Sequence, residues 1–198
     1  MLLKQIVVAT TNLGKAREFE KILGDGMCVI VPDDLPLVVE DGDTLAENAY
    51  KKARSAADHL SRLVLADDSG LFVHGLGGAP GVYSARFAGR EGDDAANRSK
   101  LIALLRDFSD RSAYFETVLC LCAPSASMEE AYFFEGRCDG YLLDHERGSQ
   151  GFGYDPLFVP SEGDGRTFGE MSPSEKAVLS HRSRAIFKFK ISLPDLPG

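Results

Sequence analysis

The run Leu63 to Ala66 is short, apolar and branched, as expected of a strand buried in a sheet. Two adjacent carboxylates, Asp67 and Asp68, follow it at once, and then the glycine-rich stretch from Ser69 to Gly81. The two carboxylates then fall at the carboxyl end of the strand, where open α/β sheets gather their ligands. Neighbouring side chains of an extended segment point to opposite faces, so only one of the two carboxylates is expected to face a cleft. The plain alternative is a polar turn, for which Asp, Ser and Gly are ordinary residues.

A chain of 198 residues with 44% apolar content can bury one substantial core, and a single domain over 1–198, elongated or two-lobed, is expected. Lys4 and Gln5 interrupt the apolar start and no small-residue cleavage site follows, so no signal peptide is expected. No apolar run reaches the roughly 20 residues of a membrane helix, and the expected location is the cytoplasm, with no membrane partner. Cys28, Cys120, Cys122 and Cys138 form no Cys-x-x-Cys pair and read as reduced core thiols. A formal net charge of -8 argues against a long nucleic acid as partner. A small polyphosphate needs only a local cluster of Lys and Arg, with a divalent cation to reconcile it with nearby carboxylates. Magnesium is the expected cation, and oxygen ligands without clustered nitrogen or sulfur point the same way.

Ile6 to Thr10 reads as a strand, Thr11-Asn12-Leu13-Gly14 as a turn, and Lys15 to Leu23 as a helix whose core face is Ala16, Phe19, Ile22 and Leu23. A strand, a small polar loop and a helix N-terminus present backbone N–H groups that suit phosphate, and Lys15 adds a charge. The leading glycine of a Walker A motif is missing. Further on, Glu40-Asp41-Gly42-Asp43-Thr44 precedes a helix with Leu45, Ala49, Ala53 and Ala56 or Ala57 along one stripe. Thr44 reads as its N-cap and Glu47 as the partner in a capping box. Glu40 has no such capping role and is the preferred metal ligand, against a solvated loop acid. Lys52 is either a solvated helix lysine or a phosphate contact.

A third helix is expected from Asp93 or Asp94 to Arg106, with Leu101, Ile102, Leu104 and Leu105 mostly in the core. Ala113 to Ala123 and Glu129 to Glu135 read as an antiparallel hairpin, with Cys138 to Leu143 as a third strand. Gly148 to Phe158 is a glycine-rich loop in which Phe152 and Tyr154 either stack on a base or anchor the loop by burial. Ser172-Pro173 opens a helix carrying Lys176. In one continuous helix Lys176 and His181 would lie roughly 140° apart, so a break is expected at Ser180, with His181 and Arg182 opening the last helix.

Thr10-Thr11-Asn12-x-Gly-Lys15, Glu40-Asp-Gly-x-Thr44 with Glu47-Asn48-Ala49-x-x-Lys52-Ala53, Ala66-Asp-Asp-Ser-Gly-Leu71, Gly77-Gly-Ala-Pro-Gly81 with Ser84-Ala85-Arg86, Gly151-Phe-Gly-Tyr-Asp-Pro156, and Lys176 with Ser180-His-Arg182 occur in register. Together they resemble the inosine triphosphate pyrophosphatase family, the Ham1-like pyrophosphatases of non-standard purine nucleotides. The resemblance covers almost the whole chain. It implies an elongated mixed β-sheet flanked by helices, two lobes around a central active-site cleft, a homodimer, and magnesium-dependent hydrolysis of ITP, dITP and XTP to the monophosphate and pyrophosphate.

Residue by residue, the resemblance places Thr10, Thr11, Asn12, Leu13, Gly14 and Lys15 on the triphosphate, with Lys52 and Lys176 as further positive charges. It gives magnesium to Glu40 and Asp68, makes Asp68 the acid/base residue as well, and puts Ser69 on the substrate. Asp67 becomes an electrostatic partner. Phe152, Gly153, Tyr154, Asp155, His181 and Arg182 become the base pocket, where Arg182 or loop amides would meet the purine 6-oxygen. Thr11, where the family often has glycine, and His74, where it often has an acidic residue, depart from the pattern without removing a ligand. A pyrimidine or modified-nucleotide pyrophosphatase, a phosphatase with an aspartyl intermediate and a non-catalytic nucleotide sensor are the rival readings.

Overall fold

The alternation of apolar residues along two parallel strands decides which helix covers which face. In the computed structural model, which describes residues 5–24 and 27–193, β1 (Gln5–Ala9) and β3 (Val64–Val73) pair in parallel with Val7 opposite Val64 and Ala9 opposite Ala66. Ile6, Val8 and Leu65 pack with Phe19 and Leu23 of α1 (Leu13–Leu23) and with Ala185, Ile186 and Phe189 of α5 (His181–Ser192). Val7, Ala9, Val64 and Ala66 pack on the other side, against Ala49, Ala53, Ala56 and Ala57 of α2 (Leu45–Leu60). Period-two strands therefore bury both faces. The alanine stripe lets α2 lie close to the sheet. β2 (Cys28–Ile30) pairs in parallel with β1.

The sheet runs in the order β2-β1-β3-β5-β6-β7, with β5 at Ser112–Cys122, β6 at Tyr132–Leu142 and β7 at Phe158–Pro160, and the short β4 (Pro80–Gly81) pairs with β3. The fold is α/β with a mixed sheet flanked by helices, as expected. The chain divides into two compact units. The first comprises Met1–Asp68, Thr117–Gly136 and Arg182–Gly198, and the second Ser69–Glu116 and Arg137–His181. The second unit has its own core of Leu71, Leu101, Leu105, Phe115, Phe158 and Phe168, with α3 (Asp94–Leu104) capped by Asp93.

Several elements depart from the sequence reading. β3 does not end before the carboxylates, because β4 takes up pairing at Leu71 and Phe72 and keeps the segment extended. The two short strands expected around Gly136 are one strand, in which alternate residues stay buried through the glycine, and Met128–Glu130 form a 3-10 turn ahead of it. Leu104 is exposed rather than in the core, and Cys28 is exposed while Cys120, Cys122 and Cys138 are buried. The break at Ser180 is present: α4 (Pro173–Leu179) ends there and α5 begins at His181. Residues 1–4 of the apolar N-terminal stretch lie outside the described residues.

The alanine stripe leaves no room for a larger side chain. Ala53→Leu is expected to lower the unfolding free energy by about 1–3 kcal/mol through overpacking, whereas Leu104→Lys, at an exposed helix position, should change it by no more than about 0.5 kcal/mol. Urea denaturation of the two variants beside the parent chain checks both.

Candidate active site

β3 carries Asp67 and Asp68 immediately after Ala66, the residue paired with the last residue of β1. Both carboxylates are buried, at 2% and 5% exposure. They continue the alternation of the strand. Asp67 follows Leu65 towards α1 and α5, where Lys15 Nζ lies 3.0 Å from its Oδ2 and Arg182 Nε and Nη2 donate to the same atom at 3.3 Å. Asp68 follows Ala66 towards α2, where Lys52 Nζ donates to its Oδ1 at 2.8 Å.

On the α2 side, Lys52 Nζ also donates to Glu40 Oε2 at 2.9 Å, so one ammonium draws two carboxylates to a single point. Burial disfavours the ammonium, but Asp68, Asp67 and Glu40 outweigh it and hold the Lys52 pKa above its ordinary value. Burial raises the Asp68 pKa against the pull of Lys52 and Lys15, and Glu40 pushes the same way as burial. Asp68 Oδ2 is buried with no hydrogen-bond partner. An orphaned carboxylate oxygen beside a second carboxylate is a fit for a hard divalent cation, and magnesium is commonly held by only one or two protein carboxylates, with water and phosphate oxygens completing its shell. Among the described residues no cluster of three or more His, Cys, Asp or Glu forms a self-sufficient metal cage.

On the opposite face, α1 starts two residues earlier than expected, at Leu13, with Asn12 as N-cap accepting from Lys15 N at 3.1 Å and Thr10 Oγ1 accepting from Asn12 N at 3.2 Å. Its first turn holds no acidic residue, and Thr11, Asn12 and Leu13 are exposed, a terminus open to an anion. Burial lowers the Lys15 pKa despite Asp67. Burial alone would raise the Asp67 pKa, yet Lys15, Arg182 and Lys52 pull it well below the usual carboxylate range. Arg182, 1% exposed, is clamped between Asp67 and Glu18 of α1. The sequence reading gave Arg182 to the purine base; in the structure its guanidinium faces two carboxylates. Glu18 carried no motif signal, since a helix glutamate beside Lys15 and Arg17 reads as a solvated face.

In the second unit the 148–158 loop is tied from several sides. Asp155 accepts from Phe152 N at 2.9 Å and from Lys176 Nζ at 2.6 Å, and Gly151, at φ 76°, would place a Cβ 2.0 Å from the Asp155 carboxylate. Gly153 N donates to Asp94 at 2.7 Å and its carbonyl accepts from Arg98 at 2.9 Å, two residues the sequence did not single out. Tyr154 is buried and its hydroxyl donates to Ser84 O, so its ring anchors the loop and is not exposed for stacking. Phe152 is half-buried, with Lys176 Nζ 4.8 Å from its ring centre. Lys176, expected as a charge for phosphate, is itself buried against Asp155. His181 stacks on Phe115 with 4.6 Å between ring centres. Ser69 is half-buried, directly after Asp68 on β3.

Residues 6–191 match the model of the Ham1 family. A dITP/XTP pyrophosphatase of Syntrophobacter fumaroxidans is 50% identical over 190 residues, covering 93% of this chain and 80% of that protein. One of Desulfotalea psychrophila is 45% identical over 199 residues, covering 98% and 87%. Among solved structures, a Ham1 protein from Coxiella burnetii aligns with a TM-score of 0.86 at 36% identity, over 99% of this chain and 100% of that one.

The Asp67 cluster generates a stability prediction. Arg182→Met removes the guanidinium that Asp67 and Glu18 share, and loss of one partner from a buried ion pair costs about 3–5 kcal/mol. A fall of that size in the unfolding free energy, measured by chemical denaturation, is the expected result.

Proposed function

This chain belongs to the Ham1 family, and from that premise we propose that it is a nucleoside triphosphate pyrophosphatase, hydrolysing dITP, ITP and XTP to the monophosphate and pyrophosphate. The observation that carries the reading is the convergence of Glu40 and Asp68 on one cationic atom, with a second oxygen of Asp68 buried and unpartnered. A triphosphate brings several negative charges to such a site, and the cations to receive them are near: Lys15 and Lys52, with the N-terminus of α1 following Thr10 to Asn12.

Glu40 and Asp68 would hold magnesium, which when bound acidifies water and offsets charge on the phosphates. Asp68 accepts the proton of the water that attacks phosphorus. Its orphaned oxygen has no competing donor within the protein. Asp67 stays ionised and holds Lys15 in place. Lys52 balances the two carboxylates until substrate arrives. The bond between the first and second phosphates breaks, pyrophosphate leaves, and the nucleoside keeps one phosphate.

Hypoxanthine and xanthine carry an oxygen at position 6 where adenine carries an amino group. A protein donor facing that position accepts the first two, and a donor meeting a donor is penalised by about 1–3 kcal/mol. The resemblance assigns base contact to Phe152, Gly153, Tyr154 and Asp155 with His181 and Arg182; Phe152 offers the half-buried ring of this set. By the same resemblance the working form is a homodimer in the cytoplasm. No helix among the described residues is long and apolar enough to cross a membrane.

Purified protein incubated with magnesium and separately with ITP, dITP, XTP, GTP, ATP and dUTP is expected to convert the first three to monophosphates with release of pyrophosphate. Orthophosphate with a diphosphate product, or preferred turnover of dUTP, would overturn the assignment. Asp68→Asn is expected to keep the fold and lose about 10²–10⁴-fold in turnover, because a positioned base is removed together with a cation ligand.

A further inference from the structure

Glu40 lies on no helix or strand: residues 31–44 form irregular chain between β2 and α2. A carboxylate on such a segment holds a position only if something else holds the segment. The side chains that do so come from the first two turns of α2, and they meet the loop in reverse order.

Glu47 Oε2 accepts from Thr44 N at 3.2 Å and from Asp43 N at 2.7 Å. Asn48 Oδ1 accepts from Gly42 N at 2.8 Å. Lys51 Nζ pairs with Asp41 at 2.6 Å, and Lys52 Nζ with Glu40 at 2.9 Å. Positions 47, 48, 51 and 52 share one side of a helix, so as the loop runs from 44 back to 40 the helix runs forward beside it. The capping box explains only the first step. Lys51 and Asp41 are solvent-exposed and contribute little. The buried step is Asn48.

Two observations single it out. Asn48 is fully buried, beside Leu45 and Ala49 on the core side of α2. The Gly42 N–H can only be met by an oxygen, so the orientation of the carboxamide is fixed, and Nδ2 is left buried with no hydrogen-bond partner. An apolar residue would sit on that face without an orphaned donor. Independently, Gly42 lies so close to the helix that an added Cβ would fall 2.7 Å from Asn48 Oδ1 and 2.8 Å from Glu47 Cβ.

We infer that Asn48 is a positioning residue for the cation site: through Gly42 it fixes the 40–44 loop and so sets where the Glu40 carboxylate stands. Asn48 touches neither substrate nor cation. The inference rests on the reading of Glu40 as a magnesium ligand in the pyrophosphatase reaction.

The test compares the wild type with Asn48→Ala, Asn48→Asp and Gly42→Ala. Three readouts are taken: amide hydrogen exchange of residues 40–44 without magnesium, magnesium binding by calorimetry, and the magnesium dependence of XTP hydrolysis. Loss of a group that orients a metal ligand weakens metal affinity about 10–100-fold. Asn48→Ala is therefore expected to raise the magnesium Kd and half-saturating concentration by that factor, with faster exchange at Gly42 and turnover at saturating magnesium largely retained. Asn48→Asp keeps the acceptor and should restore protection at Gly42. Gly42→Ala leaves Asn48 in place, lifts the loop off it, and should reproduce the weakened binding even if Asn48→Ala does not fold. Unchanged magnesium affinity in a folded Asn48→Ala or Gly42→Ala, or failure of Asn48→Asp to protect Gly42, overturns the inference alone. A wild type that neither binds magnesium nor hydrolyses XTP overturns the function instead, and the role of Asn48 in cation binding with it.

Discussion

Two adjacent carboxylates buried in the middle of a strand are costly, several kcal/mol each, unless each meets a cation. The strand solves this by alternation. Asp67 and Asp68 leave β3 on opposite faces, and each face supplies its own cations: Lys15 and Arg182 from α1 and α5, Lys52 from α2. The layers that cover the sheet with Phe19, Ile186 and Phe189 on one side and an alanine stripe on the other are therefore the layers that balance the charge. Packing and electrostatics in the first unit share the same helices.

The two carboxylates end up in different states for one physical reason. Asp67 meets Lys15 and Arg182 around a single oxygen and is held ionised. Asp68 is bonded to Lys52 alone, shares it with Glu40, and feels Lys15 only at a distance, so burial and the Glu40 charge prevail and its affinity for a proton rises. Neighbours in sequence thus divide into a carboxylate held ionised and one with a raised affinity for a proton. The division follows from which helix each face meets, and the two residue types alone do not reveal it.

Much of the local structure was legible in the sequence. The core faces of α1 and α2, the Thr44–Glu47 capping box and the break at Ser180 all follow from spacing and local hydrogen-bond chemistry, which act within a few residues. The readings that failed depended on distant partners. β3 continues past Asp68 because Pro80 and Gly81 come back to pair with it, and β6 continues through Gly136 because its buried side keeps packing. The partners of Tyr154 and Lys176, Ser84 and Asp155, are likewise set by the fold, and for Tyr154 burial is the loop-anchoring alternative that the sequence left open.

The sequence by itself determined the family, the alternating carboxylates and the set of charged residues around them, because motifs, period and capping are written in the order of residues. Only the tertiary structure decided how those charges pair. Arg182 is 115 positions from Asp67 and 164 from Glu18, and Asn48 reaches Gly42 only because the 40–44 loop folds back along α2. Such pairings depend on where the chain returns in space. A carboxylate's proton affinity depends on those returning neighbours and on the burial they produce, so no stretch of sequence fixes it.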